Sequence, residues 1–326
     1  VKGRHRVIPV VAFFVGALNN GEDTMIIYGA GLSGCLAGAL YRRAEIFESN
    51  SEVGHWGGHK AVLRFREDAI AHATGIPFKK VRVRKSIFFE GEEFIHVTPR
   101  LANMYSMKVS GKIAERSINS LDVSERYVAP VDLHERLGDM CRGRIHFEEP
   151  FNGVPKAHDG PIISTLPMPT LLDLLQLRVP ELQFKHAPVA VERYKIQDCD
   201  VHQTVYFPGA ETPAYRATLT GADLIIESTC PINSEQERSY ITNSLFLSLA
   251  QAKFVSGSVQ RYGKIVPLSD VVRKELLYKI TTQHGIFSLG RFACWRNILL
   301  DDVYHDLRRI EQMASMNHYD LMRRIT

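Results

Sequence analysis

Residues 25–48 read MIIYGAGLSGCLAGALYRRAEIFE. A short apolar strand, Met25-Ile26-Ile27-Tyr28, runs into Gly29-Ala30-Gly31-Leu32-Ser33-Gly34 and then into a helical pattern whose buried side carries Leu36, Ala37 and Leu40. This is G-x-G-x-x-G placed between a strand and a helix. Gly29 permits the tight turn, Gly31 lets the backbone approach a pyrophosphate, and Gly34 lets helix pack closely on strand. The helix N-terminus offers free N–H groups and a positive dipole end to phosphates. A second strand, Ala44–Glu48, ends in an acid about twenty positions after the first glycine, where a ribose-binding carboxylate is expected. Glu48, rather than an Arg, favours an unphosphorylated ribose. The pattern predicts a dinucleotide-binding βαβ unit for FAD or NAD. The plain alternative is a glycine-rich turn without ligand.

Upstream, residues 1–24 read VKGRHRVIPVVAFFVGALNNGEDT. A basic start before Val7–Leu18 resembles a signal peptide, but no small-x-small cleavage site is well placed before residue 25. Gly-Glu-Asp-Thr-Met can be encoded with a ribosome-binding-like purine run before ATG. These features lead us to expect Met25 as the natural start and 1–24 as a non-native or disordered extension.

The chain has 326 residues, a length that suits two interleaved domains. Apolar residues make up 45% and charged residues 23%, enough for a large core and against global disorder. A net charge of +4 is too small to argue for nucleic acid by itself. No apolar run is long enough to span a bilayer, so no membrane partner is expected. The five cysteines are odd in number and scattered, without C-x-x-C. A reducing cytoplasm fits them better than a disulfide framework or structural zinc.

Three patches then act together. Ser49–Gly58 places Gly57 and Gly58 after the ribose acid. Asp159–Pro167 reads as a buried strand ending Ser164-Thr165-x-Pro167. Gly285–Arg291 is a strand followed by Gly290-Arg291, leading through Trp295, Arg296 and Asn297 into a helix over Ile298–Met313 with Asp301 and Asp302 at its start. Together they resemble the glutathione-reductase-type and amine-oxidase-like FAD flavoproteins. The last patch is most similar to UDP-galactopyranose mutases and their relatives. The resemblance implies an α/β fold: a Rossmann-like FAD-binding domain over 25–63, 126–170 and 257–326, with an inserted antiparallel-sheet substrate domain over 64–125 and 171–256. It implies one noncovalent FAD held by Gly29, Gly31, Ser33, Gly34, Glu48, Gly57, Gly58, Thr165, Gly290, Arg291, Asn297 and Ile298.

In the middle of the chain, Lys79–Lys85 alternates as a strand with Lys80, Arg82 and Arg84 on one face. It reads either as an edge strand protected by charge or as an anion contact for a phosphorylated or nucleic-acid substrate. Ile87–Phe89 and Phe94–Val97 suggest a hairpin. Asp132–Cys141 reads as a short helix, and 187–230 as an antiparallel sheet in which Tyr194, Tyr206 and Tyr215 are candidates to line a wall over the flavin. Ser234–Phe254 has helical spacing.

No metal pattern is present, because glycines separate His55 from His59. No G-x-S-x-G elbow exists, and Cys35 is explained by packing. The hard chemistry is therefore assigned to the flavin. His59 and Lys60, after the glycine pair, are candidates to stabilise anionic reduced flavin. Arg64 is a candidate to hold a substrate carboxylate or phosphate. The expected function is an FAD-dependent oxidoreductase acting on a small or nucleotide-linked anionic substrate. A mutase-like non-redox flavoenzyme and a viral-type enzyme modifying a base in DNA stay open, as does the oligomeric state. N-terminal peptide mass spectrometry of the natively expressed gene product should find Met25 at the start, and peptides from residues 1–24 would refute that start.

Overall fold

A computed structural model of the chain describes residues 25–53, 64–113, 117–154, 160–177 and 179–314. In chain order its elements are β1 (Ile26–Tyr28), α1 (Leu32–Leu40), β2 (Glu45–Phe47), β3 (Arg64–Phe65), α2 (Ala69–Thr74), β4 (Lys79–Phe89), β5 (Glu92–Phe94), α3 (Pro99–Ser110), β6 (Ser124–Val128), α4 (Leu133–Met140) and β7 (Ile145–His146). There follow β8 (Ile162–Ser164), α5 (Met168–Leu174), β9 (His186–Lys195), β10 (His202–Tyr206), β11 (Ala214–Thr220), β12 (Asp223–Ser228), α6 (Glu235–Asn243), β13 (Lys253–Ile265), α7 (Asp270–His284), β14 (Ile286–Ser288) and α8 (Leu300–Ala314).

Five strands form a parallel sheet in the order β14–β8–β1–β2–β7. Ile27 sits at its centre, opposite Ile46 on one side and Ile163 on the other. Such a sheet is buried on both faces, and the apolar residues of its central strands answer that requirement. On one face Ile27, Ile46 and Ile163 pack with Leu36 of α1, Leu133 and Leu137 of α4, and Leu307 of α8. On the other, Tyr28, Ile162 and Ile286 pack with Met168 and Leu171 of α5 and Ile280 of α7. Small residues on α1 bring it close: a Cβ on Gly38 would meet Ile46 Cδ1 at 2.4 Å and Cys141 Sγ at 2.8 Å.

The remaining strands form a second sheet, β13–β9–β12–β11–β10–β4–β6–β3, with β5 paired to β4. All of its pairings are antiparallel except β4 with β10, which is parallel. The fold is thus an α/β, Rossmann-like unit with an inserted, mainly antiparallel sheet. Strand β4 links the two halves of this sheet, pairing through Lys79–Val83 with β6 and through Arg84–Ile87 with β10, so each basic residue has a strand neighbour on one side. The second sheet continues to Ile265.

Each face of this sheet has its own core. On one, Val205, Phe207, Ala217, Leu219, Leu224 and Ile226 meet Ile241 of α6. On the other, Ile87, Phe89, Val189, Val191, Tyr215 and Ile225 meet Leu101, Tyr105 and Val109 of α3. Tyr194 stands opposite Leu224 and is buried on the α6 face, whereas Tyr215 lies on the α3 face with Tyr206 packed beside it. The helix expected over Ser234–Phe254 ends at Asn243, and Phe254 belongs to β13. The chain turns at Phe246, whose φ is 56°. Leu245, Leu247 and Ala252 then pack onto the α6 face, so their apolar spacing reflects tertiary burial rather than a helical stripe. No helix among the described residues is long and apolar enough to cross a membrane.

Helix α3 is defined at both ends. Thr98 Oγ1 accepts from the Leu101 amide, Pro99 opens the first turn, and Gly111 closes the helix in the left-handed region. It is tied to the sheet by Lys108, whose Nζ donates to the carbonyls of Phe207, Gly209 and Thr212 at 2.9, 2.6 and 2.8 Å. Burial pushes this ammonium down to about 8, with Glu211 opposing, so it is mostly protonated at neutral pH. Lys108→Met strands those carbonyls and should lower stability by about 2–4 kcal/mol. The check is a lower urea midpoint at unchanged m-value.

Candidate functional site

The glycine turn is built at the C-terminal edge of β1, where ligands bind in open parallel sheets. Gly29 has φ of +100°, and a Cβ there would lie 2.3 Å from Thr165 Oγ1. Thr165 backs the turn from the end of β8: its hydroxyl donates to the carbonyls of Tyr28 at 3.0 Å and Gly29 at 3.3 Å. Gly34 is enforced more severely, because a Cβ would stand 1.8 Å from the Gly29 carbonyl oxygen. Gly31 caps α1 with no side-chain hydrogen bond, and a Cβ there meets nothing within 4 Å. The first turn of the helix contains no acid that would compete for an anion at its amides.

Glu48, at the end of β2, is 9% exposed. Its Oε2 accepts from the Ala30 amide at 2.7 Å, inside the glycine turn. Its Oε1 accepts from the Asn50 amide at 3.0 Å, Asn50 Nδ2 at 2.6 Å and Ser49 Oγ at 3.1 Å. The carboxylate is therefore held facing the loop. From α4, His134 Nε2 lies 3.1 Å from the Ala30 carbonyl, which can only accept, so the proton is on Nε2. Sequence reasoning alone misses His134 and Asn50. Asn50 has a local signal, two residues after the acid, whereas His134 has none.

The C-terminal patch comes to the same place. Gly290 has φ of +99°, and a Cβ on it would lie 2.7 Å from Ser33 Oγ in the first turn of α1. Arg291 Nη2 donates to the Gly263 carbonyl at 3.0 Å and to Asn297 Oδ1 at 3.2 Å. Ile298 packs against the core beneath α1 and α8. Gly29, Gly31, Ser33, Gly34, Glu48, Thr165 and Gly290 thus surround one end of α1. These observations fit a dinucleotide: a helix N-terminus with no acid in its first turn, two glycine turns in contact and a buried carboxylate at the second strand. Gly57, Gly58, His59 and Lys60 lie outside the described residues.

Arg64 opens β3 and reaches across the curled second sheet. Its Nε donates to Thr220 Oγ1 at 3.0 Å and its Nη1 to Thr204 Oγ1 at 3.1 Å, while Nη2 donates to the Leu219 carbonyl and Thr220 Oγ1. Burial pushes it down to about 10, helped by the nearby charges of Arg216 and Arg126 and opposed by Tyr206. Arg66 instead ties this insert to α8. Its amide donates to Asp301 Oδ2 at 2.9 Å, and its guanidinium donates to Asp301 and Asp302 at 3.2 and 2.7 Å. On the outward row of β4, Lys80 pairs with Glu125 at 3.0 Å, Arg84 with Glu93 at 2.8 Å, and neighbouring Lys79 with Asp200 at 2.8 Å. Its charge is largely neutralised at the surface. Among the described residues no cluster of His, Cys, Asp and Glu has metal-holding geometry.

A cavity of about 300 Å³ lies between the end of α3, the start of β9, the end of β13 and Asn297. Lys264 lines it, with its Nζ 3.3 Å from the Tyr215 ring centroid. Behind it Tyr215 donates to Glu227 at 3.2 Å, and Glu227 pairs with Arg216. Burial and Glu227 drive the phenol well above its usual range.

No protein-family model matches the chain, and no curated protein matches it by sequence. Solved structures do resemble it. A reduced UDP-galactopyranose mutase superposes with a TM-score of 0.57 at 15% identity, over 85% of this chain and 90% of that one. A putrescine oxidase variant redesigned in cofactor binding gives 0.56 at 10% identity, over 90% and 98%. HpxO of Klebsiella pneumoniae, solved with FAD and uric acid, gives 0.52 at 13% identity, over 91% and 81%. At these identities the likeness is one of fold.

The two glycines of the turn should separate in a stability measurement. Gly34→Ala forces a Cβ into the Gly29 carbonyl and should cost more than about 3 kcal/mol or abolish folding. Gly31→Ala, into open space, should cost about 1 kcal/mol or less. Equal losses in denaturant unfolding of ligand-free protein would show that the turn is not packed this way.

Proposed function

We propose that this chain is an FAD-dependent oxidoreductase acting on a small or nucleotide-linked substrate that carries an anionic group. The observation that carries the reading is the meeting of Gly290 with Ser33 at the N-terminus of α1, because it brings the C-terminal glycine turn to the first glycine turn. In this reading Gly29, Gly31, Ser33 and Gly34 receive the pyrophosphate on backbone amides and the helix dipole. Glu48 accepts from the ribose hydroxyls, and Asn50 and Ser49 keep its carboxylate oriented. Thr165 maintains the turn, and Gly290, Arg291, Asn297 and Ile298 form the opposite wall. His59 and Lys60 remain candidates for the flavin's reactive side, and Arg64 for the substrate anion. The domain assigned to 25–63, 126–170 and 257–326, built on the parallel sheet, holds the cofactor. The inserted region, 64–125 with 171–256, faces the substrate, and β6 to Val128 and β13 to Ile265 complete its sheet.

When bound, FAD supplies the hydride-accepting chemistry that no side chain provides. The chain's own part is to orient the substrate and exclude water. The α3 face of the second sheet is suited to this, because it combines the apolar patch around Tyr105 and Tyr215 with the polar groups of Thr204 and Thr220.

Purified protein should be yellow and release FAD on heating. Gly31→Leu should remove the colour and leave the far-UV circular dichroism unchanged, since its side chain would occupy the pyrophosphate position. Colourless wild-type protein that binds NAD would overturn the reading.

A further inference from the structure

The α3 face of the second sheet carries several cations that no carboxylate among the described residues pairs with. Cross-strand partners share a face, so Lys85, Thr204, Thr218, Ile225 and Arg193 form one row across β4, β10, β11, β12 and β9. Val81 and Val83 share the Lys85 face by alternation, and Val81 stands opposite Arg126 of β6. Arg64 reaches the same face through Thr204 and Thr220. His202 is opposite Thr220 in the next row.

Among the described residues, none of Arg64, Lys85, Arg126 and Arg193 forms an ion pair with a carboxylate. Arg64 is held only by two threonine hydroxyls and a carbonyl. Arg126 donates to the carbonyl of its neighbour Glu125. Asp223 acts on Arg193 through space and pairs with Lys195 at 2.8 Å. Asp122 opposes Lys85 only through space. Arg216 is the member of the group that is balanced, by Glu227. The His202 side chain is 8% exposed, and neither ring nitrogen has a hydrogen-bond partner. Asp200 Oδ1 is 3.6 Å from its Nε2, too far for one. Burial and Arg64 hold its pKa below the usual range, so at neutral pH it is an uncharged ring with an N–H to give. Arg126 depresses both Arg64 and Lys85, which places the three cations within electrostatic reach of one another.

Half-buried cations that repel one another call for a counter-charge, and among the described residues no carboxylate pairs with Arg64, Lys85, Arg126 or Arg193. We infer that this face binds a phosphate or pyrophosphate group of the substrate through Arg64, Lys85, Arg126 and His202. A phosphate fits better than a carboxylate. The Nε–Nη2 edge of Arg64, which would grip a carboxylate with two parallel bonds, is already occupied by Thr220 and Leu219. What remains is several separate donors and multiple positive charge, which suit a polyvalent oxyanion. The cluster differs from the outward row of Lys80 and Arg84, whose charges are paired. The inference rests on the flavoenzyme reading only in taking the anion for part of the substrate.

The test is calorimetric titration of the purified protein, with whatever cofactor it retains, using inorganic pyrophosphate and, in parallel, succinate. Pyrophosphate should bind at least tenfold more tightly than succinate. Arg64→Gln and Arg126→Gln should each weaken it tenfold or more, and Arg82→Gln, on the other face of β4, should not. The half-exposed Arg126 serves if the Arg64 variant fails to fold. Gly31→Leu should retain pyrophosphate binding, which excludes occupation of the dinucleotide loop. No binding, equal affinity for succinate, or equal loss in the Arg82 variant would overturn the proposal. Yellow protein without pyrophosphate binding sinks this inference alone. Colourless protein with binding sensitive to Arg126 sinks the flavin reading alone.

Discussion

The structure depends on a distance that only glycine permits. With a Cβ at Gly34 prospectively 1.8 Å from the Gly29 carbonyl, the first turn of α1 lies directly on the end of β1. That closeness aims the helix N-terminus along the C-terminal edge of the parallel sheet. It also sets Ser33 where Gly290 can meet it and brings the Ala30 amide onto Glu48. Strand, turn, helix and acid are one rigid unit because no side chain intervenes between them.

The second sheet holds its charges in two ways. Lys79, Lys80 and Arg84 of β4 have acid partners, and the α6 face buries Glu192 with Arg238 at 2.8 Å. The α3 face leaves several cations to hydroxyls and carbonyls. Surface pairs of the first kind contribute little to stability, about 0–1 kcal/mol each, and serve mainly solubility and register. Cations of the second kind oppose folding when their charge is uncompensated. Their retention beside a curled wall of threonines and tyrosines is therefore better explained by what the face meets than by what holds it together.

Much of this architecture is legible in the sequence where the determining contacts are local. Gly29, Gly31, Gly34 and Glu48 lie within one βαβ unit, and Thr165 and Gly290 each follow a buried three-residue strand. The strands of 187–230 are readable from alternation and turns. What is not legible depends on register or long-range contact. Nothing near Arg66 in the sequence shows that it ties the second sheet to α8, because Asp301 and Asp302, which hold it, lie far along the chain. Tyr194 and Tyr215 have the same local pattern, and only strand pairing with the bulge between Ala214 and Arg216 sends them to opposite faces. His134, Lys85 and Arg126 carry no signal, since nothing in their neighbours reveals the loop or the row they join.

The strand order also constrains how the chain is made. Strand β1 is emitted near the start, yet its neighbour β8 waits for residues 162–164, and β8 waits in turn for 286–288. In the second sheet β4 is completed only when residues 203–206 arrive beside it in parallel. During synthesis the growing chain must therefore carry unpaired strand edges from both sheets for most of its length. Pairings so distant in sequence form slowly, and exposed edges recruit other chains meanwhile. The hairpins β4–β5 and β10–β11–β12 close locally. They are the natural first islands of order, leaving the edge of the parallel sheet to be sealed last, when β14 and the turn at Gly290 leave the ribosome.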